Sequence, residues 1–180
     1  LKQNIYQMDK MITQVLVYLQ SANQHTCQFI DLDSVLRNLC TELSTPAEPL
    51  PVSGRGGMLY ANGVLLHRCL QNLLVNAQAY AREITIEVER SSSGVTLRVN
   101  DRGPGIAQSV LHSVTDPFVR ADTSRNDQSG GFGLGLSIAR RIAVSHKGSL
   151  VLGNREGGGL TACIFLPLRE GEGASAQAKA

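Results

Sequence analysis

Three clusters in this sequence have the residue types and spacing to do chemistry together. They are the amides Asn72 and Asn76, the stretch from Asp101 through Gly103 to Gly105, and the glycines Gly131, Gly133 and Gly135. The amides lie in LHRCLQNLLVNAQAY, residues 66–80, where Cys69, Leu70, Leu73, Leu74, Ala77 and Tyr80 recur at helical spacing and mark a buried face. One turn apart, Asn72 and Asn76 share a side of that helix. Bordering an apolar stripe, they need partners, because a buried unpaired amide costs roughly 1–3 kcal/mol. Either they cap a loop or bond a neighbouring strand, or one amide oxygen faces a cation or phosphate. Asp101 continues the alternation of Val95, Leu97 and Val99, so its carboxylate points to the apolar side and requires a donor. An exocyclic amine such as adenine N6 is one such donor. Gly103 and Gly105 let the backbone bend beneath a flat ring. Gly131, Gly133 and Gly135 let backbone N–H groups approach phosphates, with the positive end of a helix beginning near Leu134 aimed at them. Asn76 can offer a neutral oxygen to Mg²⁺ whose charge phosphates already balance.

A lone G-x-G-x-G discriminates little. A dinucleotide fold would need a preceding parallel strand and a ribose-binding acid about 20 residues on. A polar, aperiodic stretch precedes it here, and no Walker-type G-K-[ST] occurs. The clusters together, in fixed order, carry more than any one of them.

The elements that must position them emerge from periodicity. Ile5, Met8, Ile12, Val15 and Leu19 form an a/d heptad seam, so residues 2–20 are expected as a helix that wants a helical partner. Residues 21–26 read as a polar linker and 27–30 as a short strand. Asp31 or Asp33 caps a helix running to about Leu43, and Pro46, Pro49 and Pro51 prevent it from continuing. Residues 58–60 suggest a short strand before the amide-bearing helix. Ile84, Ile86 and Val88 alternate with charged residues, and Val95, Leu97 and Val99 with polar ones, which gives two strands joined by a turn at 91–94. Residues 107–112 read as a short helix or turn, and 121–130 as a mobile loop. Leu134, Ile138 and Ile142 share a helical stripe that Gly148 is expected to stop, with Arg140, Arg141 and Lys147 on a solvated face. Residues 150–152 and 160–166 make a last hairpin around Gly157, Gly158 and Gly159, which read as turn chemistry with no ligand. The stretch after Arg169 is small and polar and is expected to be disordered.

Composition excludes several classes. With 180 residues, 42% of them hydrophobic, the chain has room for one domain with a core and a short extra element. A net charge of +2 argues against binding nucleic acid or a membrane surface through bulk charge, and the absence of Trp leaves no base-stacking platform. Cys27, Cys40, Cys69 and Cys163 form no C-x-x-C and read as reduced packing residues of a cytosolic domain. No apolar run approaches the ~18 residues of a membrane span, and no signal peptide is visible. Leu1 is not an initiator Met, so a fragment of a longer protein is expected, with a membrane anchor possible outside it.

NLLVNA at 72–77, DRGPGI at 101–106, DPFVR at 116–120 and GFGLGLSIA at 131–139 resemble, in order and spacing, the N, G1, F and G2 boxes of one family. That family is the catalytic ATP-binding domain of bacterial sensor histidine kinases, within the GHKL ATPases. The resemblance covers residues 28–168. It implies an α/β two-layer sandwich, a mixed sheet covered by helices on one face. It implies Mg-ATP as ligand, with Asn76 on Mg²⁺, Asn72 assisting at the phosphates, and Asp101 reading adenine. Gly103, Gly105, Ile106, Arg120, Phe132, Leu134 and Leu136 join the implied binding set, while Gly131, Gly133 and Gly135 line the triphosphate. Residues 107–130 would be the ATP lid, with Phe118 packing to fix it. Tyr80 either touches the nucleotide or belongs to the core. Residues 1–22 resemble the second helix of a dimerisation and phosphotransfer hairpin, 23–30 a linker and first strand, and 169–180 a tail. A homodimer, a response regulator receiver domain as partner, and an inner-membrane anchor in the full-length protein are implied as well; nucleic acid is not.

Two departures stand out. His25, His67, His112 and His146 all lack the acidic residue and proline that follow the family's phosphoacceptor, so no autophosphorylation at that site is expected from this chain alone. Ala79 stands where many relatives carry Lys or Arg; Arg82 or Arg120 could supply that charge. Two alternatives remain. Another GHKL ATPase of the clamp type would need a glutamate near the N box, and Glu83 is the nearest. A degenerate, non-catalytic nucleotide-binding or dimerisation module would fit Ala79 but not the intact box residues.

Overall fold

The computed structural model describes residues 26–45, 49–120 and 132–169. The expected heptad helix, the whole of the expected loop at 121–130 with Gly131, and the tail from 170 lie outside the described residues.

Strand β1 (Gln28–Asp31) runs into helix α1 (Leu32–Leu43). Of the two aspartates that could cap α1, Asp31 does so, accepting from the Asp33 N–H at 3.0 Å and from the Ser34 hydroxyl at 2.5 Å. Asp33 instead accepts from the Gly56 and Gly57 amides at 2.7 and 3.3 Å, tying α1 to the turn before β3 (Met58–Ala61). Strand β2 (Val52–Gly54) was not foreseen. It is three exposed residues long, so no alternation marks it. Helix α2 (Gly63–Tyr80) begins earlier than its apolar stripe suggests, because Asn62 accepts from the Leu65 N–H at 2.9 Å and closes the first turn.

Strands β4 (Ile84–Arg90), β5 (Gly94–Asp101), β6 (Ser149–Asn154) and β7 (Leu160–Pro167) join β2 in a sheet of order β2-β4-β5-β7-β6. The β2–β4 pair is parallel and the others antiparallel, so the sheet is mixed. A separate antiparallel pair joins β1 and β3. Register aligns Val88, Leu97, Ile164 and Leu150 in one row across the sheet, with Ile86, Val99 and Ala162 in a row on the same face. The intervening Thr85, Glu87 and Glu89 are exposed, so only one face of β4 enters the core.

Helices α2 and α4 (Gly135–Ser145) cover that face and pack on each other, with α1 against α2 and the short α3 (Gln108–Leu111) outside the core. Leu66, Leu70 and Leu74 of α2 and Ile138 and Ile142 of α4 are fully buried, each worth about 1.5–3 kcal/mol of burial. Cys69 sits in the α2–α4 seam, its thiol on the Ala139 carbonyl at 3.4 Å; burial pushes its pKa up to about 12. None of the four cysteines is in a disulfide.

The end of α4 differs from expectation. The left-handed residue is Lys147 (φ 60°), not Gly148. Gly148 donates its N–H to the Ala143 carbonyl at 2.9 Å, and a Cβ on it would lie 2.0 Å from the Phe165 carbonyl oxygen. Glycine is needed there for the close approach of helix and strand. Arg140, read as a solvated face, bonds Thr115 at 3.3 Å and Asp116 at 3.2 Å, tying α4 to the segment after α3.

Candidate functional site

Between α2, the C-terminal end of β5 and the start of α4 lies a cavity of about 300 Å³. Asn72, Val75, Asn76, Ala79 and Tyr80 line one wall. Their spacing of three and four is a single stripe of α2, so the helix that buries its leucines under the sheet necessarily turns this stripe to the cavity.

Asp101 forms the floor. It is 6% exposed. Its Oδ1 accepts from the Gly103 N–H at 2.8 Å and the Leu160 N–H at 3.1 Å. Among the described residues Oδ2 has no partner, which leaves a buried carboxylate oxygen beside the cavity and in want of a donor. Pro104, Gly105, Ile106 and Ala107 continue the wall beyond it.

Spacing left the partners of the two amides open. Asn72 Nδ2 donates to the Arg68 carbonyl of its own helix at 3.0 Å, which commits the donor and leaves Oδ1 free to face Gly135. Asn76 is half-buried and bonds nothing among the described residues. Neither caps a loop nor bonds a strand.

The third wall is the beginning of α4, with Phe132, Gly133, Gly135 and Leu136. Leu134 stands at the N-cap and supplies no side-chain bond, so the first-turn amides have no side-chain cap. Gly133 has φ 70°, and a Cβ there would lie 2.8 Å from the Val119 carbonyl oxygen. Its carbonyl accepts the Phe118 N–H at 3.0 Å, which brings Val119 and Arg120 to the cavity.

Most of the expected binding residues line this cavity; three of the described ones, Gly103, Phe118 and Leu134, do not. Gly131 is outside the described residues. Leu134 is 1% exposed and belongs to the core, because as the residue preceding α4 it turns inward. Gly103 faces the Tyr80 carbonyl and Asp101 Oδ1, so it shapes the loop instead of the cavity wall. Phe118 is 59% exposed with φ 67°; the left-handed backbone turns its ring outward, and the segment is held by its main chain, not by ring packing. Tyr80 is 42% exposed at the cavity rim and is not core. Of the two arginines, Arg120 lines the cavity and Arg82 does not; neither does Glu83.

The β6–β7 hairpin contributes more than turn chemistry. A Cβ on Gly159 would lie 2.0 Å from the Asp101 carbonyl oxygen, so glycine admits the close approach that lets Leu160 donate to the Asp101 carboxylate. Three consecutive glycines, more than one turn requires, were the available signal. Among the described residues no group of three His, Cys, Asp or Glu side chains could hold a metal ion. A cation here would take most of its oxygens from a ligand, which suits the single neutral amide of Asn76.

The fold is an α/β sandwich with one helix start open to a cavity. Residues 61–170 match the model of the family described as histidine kinase-, DNA gyrase B-, and HSP90-like ATPase. Sensor histidine kinase GtrS of Pseudomonas aeruginosa is 34% identical over 139 residues, covering 77% of this chain and 28% of that protein. Sensor histidine kinase CpxA of Escherichia coli is 31% identical over 172 residues, covering 89% of this chain and 37% of that protein. The full-length ShkA structure in complex with AMPPNP superposes with a TM-score of 0.73 at 22% identity, over 88% of this chain and 35% of that one. The chain belongs to this ATPase family, as an ATP-binding domain of the sensor histidine kinase type. It spans 28% and 37% of the two curated relatives.

Proposed function

We propose that this domain binds Mg-ATP in the cavity and presents the γ-phosphate to a histidine on a helix that this chain does not supply. The observation that carries the reading is Asp101: a buried carboxylate with Oδ1 doubly bonded and Oδ2 unpartnered beside a cavity. An exocyclic amine of adenine satisfies that oxygen, and the backbone around Gly105 and Ile106 flanks the ring. The uncapped start of α4, with Gly133 and Gly135, faces the phosphates, and Arg120 adds a charge, while Asn72 lines the same cavity. Asn76 would hold Mg²⁺, which when bound neutralises phosphate charge. The AMPPNP in the ShkA complex supports the same ligand class.

In the reaction the histidine nitrogen attacks the γ-phosphorus, the bond to the β–γ bridging oxygen breaks, and ADP leaves while the imidazole loses its proton. Phosphoryl transfer of this kind asks the domain to position and to neutralise charge, with little covalent work. In the same proposal residues 1–22 form the second helix of a dimerising hairpin. A response regulator receives the phosphoryl group, and the full-length protein is anchored in the inner membrane.

Calorimetry with ATP, in Mg²⁺ and in chelator, tests the site, with Asp101→Ala as control. Binding strengthened by Mg²⁺ and lost in the control supports it. No binding under either condition overturns it and favours the non-catalytic module. Phosphotransfer to a supplied helical hairpin carrying the acceptor histidine then tests the kinase step.

A further inference from the structure

We propose that Asn154, in none of the motifs above, is a positioning residue that clamps the base-facing loop and thereby sets the site's discrimination between purines. This rests on the reading of the cavity as a nucleotide site.

The loop from Asp101 to Ile106 is tied to the β6–β7 hairpin at its start and at its end, and Arg102 Nη1 adds bonds to the Glu156 and Gly158 carbonyls at 3.2 and 3.4 Å near the start. At its start, Leu160 donates to Asp101 Oδ1 at 3.1 Å and Arg155 Nη1 donates to the Asp101 carbonyl at 2.9 Å. At its end, one side chain does all the holding. The Ile106 N–H donates to Asn154 Oδ1 at 2.8 Å, and Asn154 Nδ2 donates to the Ile106 carbonyl at 2.6 Å. The carboxamide thus satisfies both backbone groups of Ile106, as a neighbouring strand would. Gly105 fits the same device. At φ 73°, it would otherwise put a Cβ 2.8 Å from Asn154 Oδ1, so the second glycine of the loop makes room for the clamp.

Gly105 and Ile106 line the cavity, so where the clamp sets them decides how a base lies against Asp101. Asp101 Oδ2 accepts from an amine and repels a carbonyl oxygen, which is the difference between adenine and guanine at the exocyclic position. Such discrimination is large only when the base cannot shift to avoid the mismatch. Asn154 itself is exposed, so water can replace its bonds when they are lost. The fold then loses little, while the loop loses its fixed position.

The test uses the 180-residue chain. Mg-ATP and Mg-GTP affinities are measured by calorimetry for the wild type, Asn154→Ala, Asn154→Asp and Asn76→Ala, with thermal midpoints for each. The expected result for Asn154→Ala is an ATP affinity lower by about tenfold, the order set by losing one net hydrogen bond. Its ATP-to-GTP ratio falls toward one and its midpoint stays within a few degrees of wild type. Asn154→Asp keeps the acceptor but sets a carboxylate against the Ile106 carbonyl, and it loses discrimination in the same direction. It carries the test if the alanine variant does not fold. Asn76→Ala, acting at the phosphates common to both nucleotides, lowers both affinities and leaves the ratio alone. A folded Asn154 variant with the wild-type ratio overturns the inference. A wild type that binds neither nucleotide overturns the nucleotide reading instead, so the two failures are distinct.

Discussion

The N termini of α2 and α4 lie on the same side of the sheet and are finished in opposite ways. At α2, Asn62 Oδ1 takes the Leu65 N–H at 2.9 Å, and the Asn62 N–H goes to Nε2 of His146 at 3.0 Å. The other ring nitrogen of His146 donates to the Ile142 carbonyl at 2.8 Å, so the ring bridges the end of α4 to the start of α2. At α4, Leu134 provides no cap and glycines on either side keep the backbone bare toward the cavity. Every helix leaves its first amides without intrahelical partners. Where side chains satisfy them, the helix end serves the fold. Where they stay open beside a cavity, the fold forgoes about 0.5–2 kcal/mol of capping and keeps an anion-facing surface.

The strongest way to break the contrast is at the open end. Gly133→Ala puts a Cβ at φ 70° and 2.8 Å from the Val119 carbonyl oxygen. Left-handed strain and the clash together cost a few kcal/mol, so ATP affinity should fall by about a hundredfold, with a smaller loss of thermal stability. Calorimetry beside thermal melting separates the two. Asn76→Ala comes next. It should abolish the strengthening of ATP binding by Mg²⁺, about tenfold, and leave the melting temperature near wild type; a variant that still responds to Mg²⁺ would remove Asn76 from that role. At the capped end the effects should reverse. Asn62→Ala should lower stability by about 1 kcal/mol in denaturant titration and leave nucleotide affinity unchanged.

The open end was legible in sequence and the capped end was not. Gly133, Gly135, Asn72, Asn76 and Asp101 announce themselves because function demands unusual residues at short, fixed spacings. The sandwich was expected from the resemblance of the four motifs; alternation in β4 and β5 and the stripe of α2 marked the buried faces, since burial on one face writes itself into periodicity. Asn62 is one polar residue whose role depends on where the helix begins. The Asn154–Ile106 clamp joins residues 48 apart and has no local signature. Strand β2 is three exposed residues paired with β4 across the sheet edge, so its existence is tertiary. Phe118 misled for the opposite reason. The resemblance implied that its ring packs to fix the lid, yet a positive φ turns it outward.

A third helix start sharpens the comparison at the level of protonation. Asp31 caps α1, and its carboxyl is held below the usual carboxylate value first by the Ser34 hydroxyl, then by the Ser34 and Asp33 amides and the Arg37 charge, against desolvation. A carboxyl whose folded pKa lies below its unfolded one binds protons less readily in the folded state. Its contribution is therefore complete above the unfolded value near 3.8 and is lost as pH falls through the lower, folded one. Asp31→Asn keeps an acceptor for the cap but removes the titration. The acid limb of the stability curve should flatten in the variant below that value, and stability near neutrality should drop only slightly. An unchanged acid limb would mean that Asp31 is an uncharged cap in effect. Asn62 already fills that role at α2 without a charge.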